Sequence, residues 1–112
     1  MTEHRDSSSL DAIDHIAIQV LDIGKAIAWY KEHFKCTIEY QDQSWGYIKF
    51  ANIHLALVLA SQHPQHLAFN VENASDYGTL KTHRDGTKSV YVCDPAGNTI
   101  EFVDKLSVKT KR

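Results

Sequence analysis

The chain has 112 residues, of which 43% are hydrophobic and 23% charged, and its formal net charge is -2. This length suits one globular domain and is too short for separate cofactor-binding and catalytic domains. The charge gives no electrostatic reason to expect nucleic acid or membrane as a partner, and no apolar run approaches the roughly 18 residues that span a bilayer. With a polar stretch over residues 1–9 and no signal-peptide pattern, we expect a cytoplasmic protein.

The first half of the chain reads as a strand, a helix and three more strands. Residues 13–20 alternate as a strand does, and Asp22 then has the position of a helix N-cap. The apolar stripe of the predicted helix is Ile23, Ile27, Tyr30 and Phe34. The three further strands are predicted over residues 36–41, 46–50 and 53–59.

The second half repeats this order in shortened form. Residues 61–65 are a turn-like break, and residues 66–71 then copy the first strand. A short helix is predicted over residues 74–82. Strands are predicted over 89–93 and 99–103, with the turn-rich segment 94–98 between them.

The copying is clearest in two hexads, His15-Ile16-Ala17-Ile18-Gln19-Val20 and His66-Leu67-Ala68-Phe69-Asn70-Val71. Both read His, bulky, Ala, bulky, amide, Val. The last strands of the two halves also match, which makes Ala56 the equivalent of Glu101 and His54 the equivalent of Thr99. The repeat therefore supplies a histidine twice and a carboxylate once.

We predict that His15, His66 and Glu101 bind a metal ion. Strand alternation places each of them opposite the bulky residues of its strand, and a carboxylate among apolar neighbours is costly to bury unless it is paired or binds a cation. Two histidines and a carboxylate favour Fe(II) or Mn(II), with Zn(II) or Ni(II) as alternatives. The other histidines lack this context and are predicted to face solvent; they are His4, His33, His63 and His83.

With these residues, the chain resembles the vicinal oxygen chelate superfamily, which includes glyoxalase I, fosfomycin-modifying transferases, extradiol dioxygenases, methylmalonyl-CoA epimerases and bleomycin-resistance proteins. The resemblance runs from Ile13 to Asp104. Its marks are Asp14-His15-Ile16-Ala17, Trp29-Tyr30, His66-Leu67-Ala68-Phe69, and Asp94-Pro95-Ala96-Gly97-Asn98 before Ile100-Glu101-Phe102.

This resemblance implies an α+β fold in which two βαβββ modules form a cupped, half-open barrel around a divalent metal, often in a homodimer. The expected domain covers residues 10–106, with module one at 10–60 and module two at 66–106. A polar tail over 1–9 and a basic tail over 107–112 would flank it.

Departures from the family pattern separate its branches. Glyoxalase I and the epimerases resemble each other in having Glu or Gln where this chain has Ala56. The fosfomycin transferases have Thr where it has Ala17, and residues 72–89 leave little room for their potassium-binding loop. Bleomycin-resistance proteins usually lack the metal ligands. The extradiol dioxygenases share the set His, His, Glu, although typical members are longer.

The resemblance thus favours a dioxygenase-like metalloenzyme acting on a small molecule chelated through adjacent oxygens. A metal-dependent lyase, isomerase or transferase of the same superfamily is the alternative. Two non-catalytic readings also stay open: a protein that binds a small molecule such as an antibiotic, and an interaction partner of a larger enzyme.

Further site residues are predicted around the three ligands. We expect Tyr47 and Tyr91 to act with Glu101 in catalysis, and to bind substrate together with Arg84 and His54. Two questions stay open: whether His54 replaces the ligand missing at Ala56, and whether the cup is built within one chain or from halves of two.

Overall fold

The computed structural model describes residues 10–108, and their strands and helix follow the predicted order. The first module consists of β1 (Ala12–Gln19), α1 (Ile23–His33), β2 (Thr37–Gln41), β3 (Trp45–Lys49) and β4 (His54–Val58). The second consists of β5 (His66–Val71), β6 (Lys81–Thr82), β7 (Lys88–Cys93) and β8 (Thr99–Asp104). Two short 3₁₀ helices cover Ala74–Tyr77 and Lys105–Ser107.

All eight strands belong to one sheet, in the order β2-β3-β4-β1-β5-β8-β7-β6. The two modules meet at its centre, where β1 and β5 pair antiparallel, and each of these strands pairs in parallel with the last strand of its own module. The sheet curls without closing, as a cupped half-barrel of the α+β class. The predicted fold class is confirmed.

Strand register reproduces the equivalences read from the sequence. In both modules the histidine of the first strand pairs with the first residue of the last strand, and the following alanine pairs two residues further along. The pairs are His15 with His54 and Ala17 with Ala56 in the first module, and His66 with Thr99 and Ala68 with Glu101 in the second. Ala56 therefore occupies the position of Glu101 in the first module.

Helix α1 covers the outer face of the first module. Its start is fixed by Asp22, whose side chain accepts a hydrogen bond from the Lys25 backbone N–H at 2.9 Å, as predicted for an N-cap. Ile23 and Ile27 of the helix are buried in one cluster with Ile48 and Leu57 of the sheet. The cup lies on the opposite face, so the packing of α1 leaves the candidate site free.

The prediction of a helix over residues 74–82 is wrong. The chain makes only the 3₁₀ helix Ala74–Tyr77 and then turns at Gly78, whose φ of 150° is favourable for glycine alone. A helix cannot continue through that conformation, and the chain enters β6 instead. The second module is therefore shorter than the first, and the turn between β6 and β7 lies over the cup.

The described chain ends inside a packed segment. Ser107 is buried, and its hydroxyl accepts a hydrogen bond from the Lys88 backbone N–H at 2.9 Å. Packing thus extends one residue beyond the predicted boundary at 106. The predicted tail over 1–9, with His4, and residues 109–112 of the predicted basic tail lie outside the described residues. Between residues 10 and 108, no helix is long and apolar enough to cross a membrane.

Candidate metal centre

Three side chains from neighbouring strands converge on the floor of the cup. The Nε2 atoms of His15 and His66 lie 3.3 and 3.1 Å from Oε1 of Glu101. One ligand atom from each of the three residues can be chosen so that all lie within 4.8 Å of one another. His66 and Glu101 are 7% and 4% exposed. Two imidazole nitrogens and a buried carboxylate oxygen facing one point could hold a divalent metal ion.

Both histidine rings are fixed from behind through their other nitrogen. Nδ1 of His66 donates to the backbone carbonyl of Pro64 at 2.8 Å. Nδ1 of His15 lies 2.7 Å from Oδ2 of Asp14. A proton on each Nδ1 leaves Nε2 as the ligand atom, so these contacts turn both Nε2 atoms toward Glu101.

The second oxygen of Glu101 has partners of its own. The Ser89 hydroxyl donates to Oε2 at 2.6 Å, and Nε2 of His83 lies 3.4 Å from the same oxygen. The prediction that His83 faces solvent is therefore wrong: its ring is only partly exposed and lines the cleft. His63 also lines the open cleft and is partly exposed, and His33 is exposed as expected.

Charge and burial shift the titration of these groups in the metal-free chain. Burial alone would raise the pKa of Glu101, but hydrogen bonds from three histidines hold that pKa well below its usual range. Burial would lower the pKa of His15, and its hydrogen bonds to Asp14 and Glu101 outweigh this and raise it. Burial and the Glu101 charge both raise the pKa of Tyr91. The site is thus organised around one buried negative charge.

Ala56 leaves one side of the three residues without a fourth protein ligand. It lines an open cleft, as does Tyr91. The Tyr47 ring stacks on Trp45 with centroids 5.2 Å apart, and both aromatic side chains lie on the cleft wall. The structure thus places Tyr47 and Tyr91 beside the candidate ligands, and the roles predicted for them stay predictions.

His54 does not fill the gap at Ala56. Its Nε2 atom lies 2.8 Å from Oε1 of Glu39, its ring stacks on Tyr47, and the cleft is lined without it. The ring is also outside the group of convergent ligand atoms. The open question about this residue is answered by its contact with Glu39, which turns the ring away from the three candidate ligands.

Arg84 lies at the mouth of the cleft. Its Nη1 atom is 2.6 Å from Oδ2 of Asp42, and its guanidinium carbon is 5.4 Å from the centroid of the Trp45 ring. Asp42 belongs to the turn between β2 and β3, and Arg84 to the turn between β6 and β7. This contact joins the two ends of the curled sheet within a single chain. The same chain supplies all three candidate ligands, His15, His66 and Glu101.

The chain is thus a cupped α+β half-barrel, and its paired modules direct two histidines and a carboxylate that could hold a metal ion to one point. The sequence model of the Glyoxalase/Bleomycin resistance protein/Dioxygenase superfamily matches residues 12–102, and the chain belongs to this superfamily. A search of curated protein sequences finds no match.

Solved structures share the fold at low sequence identity. A hypothetical protein from Bacillus halodurans C-125 is similar with a TM-score of 0.65 and 14% identity, over 83% of this chain and 93% of that one. A superfamily member from Vibrio splendidus 12B01 has a TM-score of 0.60 and 15% identity, over 84% and 98%. A protein named NAD-dependent benzaldehyde dehydrogenase from Legionella pneumophila has a TM-score of 0.59 and 12% identity, over 80% and 96%. These likenesses concern the fold alone.

Proposed function

We propose that this chain is a small metal-dependent enzyme of dioxygenase type, which binds its substrate through two neighbouring oxygens. The observation that carries the proposal is the convergence of His15, His66 and Glu101 beside Ala56, at the floor of an open cleft. Two histidines and a carboxylate with free positions are the donor set of non-haem iron oxygenases. Ala56 offers no donor atom, so two substrate oxygens have room on that side.

The metal ion would supply the chemistry, and the protein would hold and orient the metal ligands. A bound Fe(II) or Mn(II) would supply Lewis acidity and redox chemistry. The protein holds the ligands: Asp14 and Pro64 orient the two rings, and Ser89 fixes the far oxygen of Glu101. Ligands held from behind keep their geometry when substrate enters.

Two side chains are proposed to hydrogen-bond the substrate oxygens. The Tyr91 ring meets the His66 ring edge to face, with centroids 5.1 Å apart, and its raised pKa keeps the hydroxyl protonated and able to donate. The His83 ring lies beside Ser89 and Oε2 of Glu101. Both line the cleft. We assign the two groups to positioning the substrate oxygens and to hydrogen-bonding the charge that develops on them.

The opposite wall favours an aromatic substrate. Trp45, Tyr47 and Val58 line it, and the Tyr47 ring is stacked between Trp45 and His54, so ring edges are left for the cleft. A flat ring can pack its face against such edges with its two oxygens toward the ligands. We therefore propose catechol-like aromatic diols ahead of aliphatic 2-oxo acids.

The test is oxygen uptake by the protein loaded anaerobically with Fe(II), measured with catechols and separately with 2-oxo acids. We expect uptake with a catechol, lost in His66→Ala and retained in His33→Ala, because His33 is exposed on α1. Metal-dependent turnover without oxygen uptake would instead indicate a lyase, isomerase or transferase. Binding of an aromatic ligand that does not change on metal removal would indicate a non-catalytic binding protein. Either result would overturn the dioxygenase proposal.

A further inference from the structure

We infer that Asp14 is a positioning residue for His15, holding its ring so that Nε2 is the metal-binding atom. The inference rests on the proposed function, since it assigns Asp14 a role in the same metal site. The basis is the 2.7 Å contact between Oδ2 of Asp14 and Nδ1 of His15, and the burial of the carboxylate, which is 8% exposed.

A β-bulge brings this carboxylate to the site. Strict alternation would direct neighbouring residues of β1 to opposite faces of the sheet. In the pairing with β5, however, Ile13 lies opposite Phe69 and His15 lies opposite Ala68, so Asp14 is the extra residue. A bulge of this kind re-aims a side chain, and here it allows Asp14 and His15 to meet on the cup side.

Two further strands hold the carboxylate in place. The Tyr47 hydroxyl of β3 donates to Oδ2 of Asp14 at 3.2 Å, and the side-chain amide of Asn70 in β5 donates to Oδ1 at 3.2 Å. A carboxylate anchored on both oxygens has a fixed direction. The His15 ring, bonded to it, has a fixed direction as well, and its Nε2 atom lies 3.3 Å from Glu101.

His66 supplies an internal comparison. Its Nδ1 donates to a neutral backbone carbonyl, that of Pro64, whereas Nδ1 of His15 faces a charged side chain. A carboxylate behind a ligand imidazole fixes the tautomer and makes the other nitrogen a stronger donor; losing it typically costs about 10- to 100-fold in metal affinity. This support can be removed by substitution at Asp14, while that of His66 is left intact.

The experiment measures Co(II) affinity by competition with a chelator, in wild type, Asp14→Ala, Asp14→Asn and Asn70→Ala. Asn70→Ala is the graded comparison, because it removes one of the two anchors of the same carboxylate and leaves the contact between Asp14 and His15 in place. We expect about 10- to 100-fold weaker binding in both Asp14 variants and a clearly smaller loss in Asn70→Ala. If Asp14→Ala does not fold, Asp14→Asn, with an amide of the same size, carries the test.

A spectroscopic signature separates positioning from general stability. In the Zn(II)-loaded protein, wild type should show two slowly exchanging ring N–H proton signals by NMR, from His15 and His66. Only the His15 signal should be lost in Asp14→Ala. Wild-type affinity in the Asp14 variants, or an equal loss in Asn70→Ala, would overturn the inference. A wild type that binds no metal would overturn the proposed function too, whereas one that binds metal without consuming oxygen would contradict only the dioxygenase proposal.

Discussion

At the scale of single residues, the two oxygens of Glu101 face different partners. Oε1 faces His15 and His66, and Oε2 is held by Ser89 and approached by His83. Burying a carboxylate costs several kcal/mol unless charges and hydrogen bonds compensate it. In the metal-free chain the histidines provide that compensation. A divalent cation bound at the same point would compensate the buried carboxylate charge in place of the histidines.

The raised pKa of His15 makes the stability of the metal-free chain depend on pH. Because the folded chain holds this proton more tightly than the unfolded chain, the stability contributed by His15 is complete below its ordinary pKa of 6.5 and is lost as pH rises through the folded pKa. Glu101, with its lowered pKa, contributes stability above its ordinary pKa of 4.5, and this contribution is lost in acid. We predict that, in the presence of a chelator, the midpoint temperature of thermal unfolding decreases as the pH is raised from about 6 to about 8.5.

His15→Gln should flatten this slope because it removes the titrating group. His33→Gln should keep the slope because His33 is exposed at the end of α1. A wild-type midpoint that rises over the same range would contradict the prediction, as would an unchanged slope in His15→Gln. Metal affinity should change in the opposite sense, rising with pH as the imidazole loses its proton.

Residues in repeated strands were predictable, and residues in turns were not. Alternation and the repeat together indicate His15, His66 and Glu101, because each strand fixes which side chains share a face. His83 follows a two-residue strand, and nothing in the local pattern shows that its turn folds back over Glu101. The position of the Asp14 side chain could not be predicted for a different reason. A β-bulge breaks the strand alternation on which such a prediction depends.

At the scale of elements, the contact between α1 and β3 depends on a glycine. A Cβ atom at Gly46 would lie 2.9 Å from Cδ1 of Ile27 and 3.3 Å from Cγ2 of Ile23. Because both isoleucines are buried, their side chains or the helix would have to shift. We predict that Gly46→Ala lowers the free energy of unfolding by about 1 to 3 kcal/mol, measured by denaturant titration.

Gly24→Ala is the matched control for this prediction. Gly24 lies in α1, and a Cβ there meets its nearest atom at 3.5 Å, an ordinary contact. Alanine is the better helix former, so stability should stay the same or rise by up to about 1 kcal/mol. A Gly46→Ala protein as stable as wild type would show that α1 is not tightly packed on β3.

The second module shows why strands were easier to predict than its helix. Residues 66–71 and 99–103 carry the same alternation as their counterparts in the first half, and they form β5 and β8. Residues 74–82 have apolar residues at helical spacing, yet only Ala74–Tyr77 form a helical turn. The conformation of Gly78 decides this, and the sequence alone does not reveal which φ a glycine adopts.

At the scale of the whole molecule, the Asp42–Arg84 ion pair spans the mouth of the cup. The turn that carries Arg84 also carries His83, and it is further held by the two-residue pairing of β6 with β7 and by the contacts of His83 with Ser89 and Glu101. The ion pair is partly exposed, so its contribution to stability is small. We predict that Arg84→Gln barely changes the thermal midpoint but speeds hydrogen exchange at the backbone amides of His83 and Gly86.

Those two amides donate within the turn, to Thr87 and His83 respectively. Lys81→Gln is the control, because it removes a positive charge from the same hairpin at an exposed position. Equal exchange rates in Arg84→Gln and wild type would mean that the turn is held without the ion pair. A local opening at this place would be a route for substrate into the cleft.

The most direct test of the central claim is the metal content of the protein, purified without a chelator or histidine tag and dialysed anaerobically against Fe(II) or Zn(II). The account predicts about one equivalent per chain in wild type and His54→Ala, and almost none in His66→Ala or Glu101→Ala. Wild-type protein that retains less than about a tenth of an equivalent would contradict it, as would full occupancy in His66→Ala.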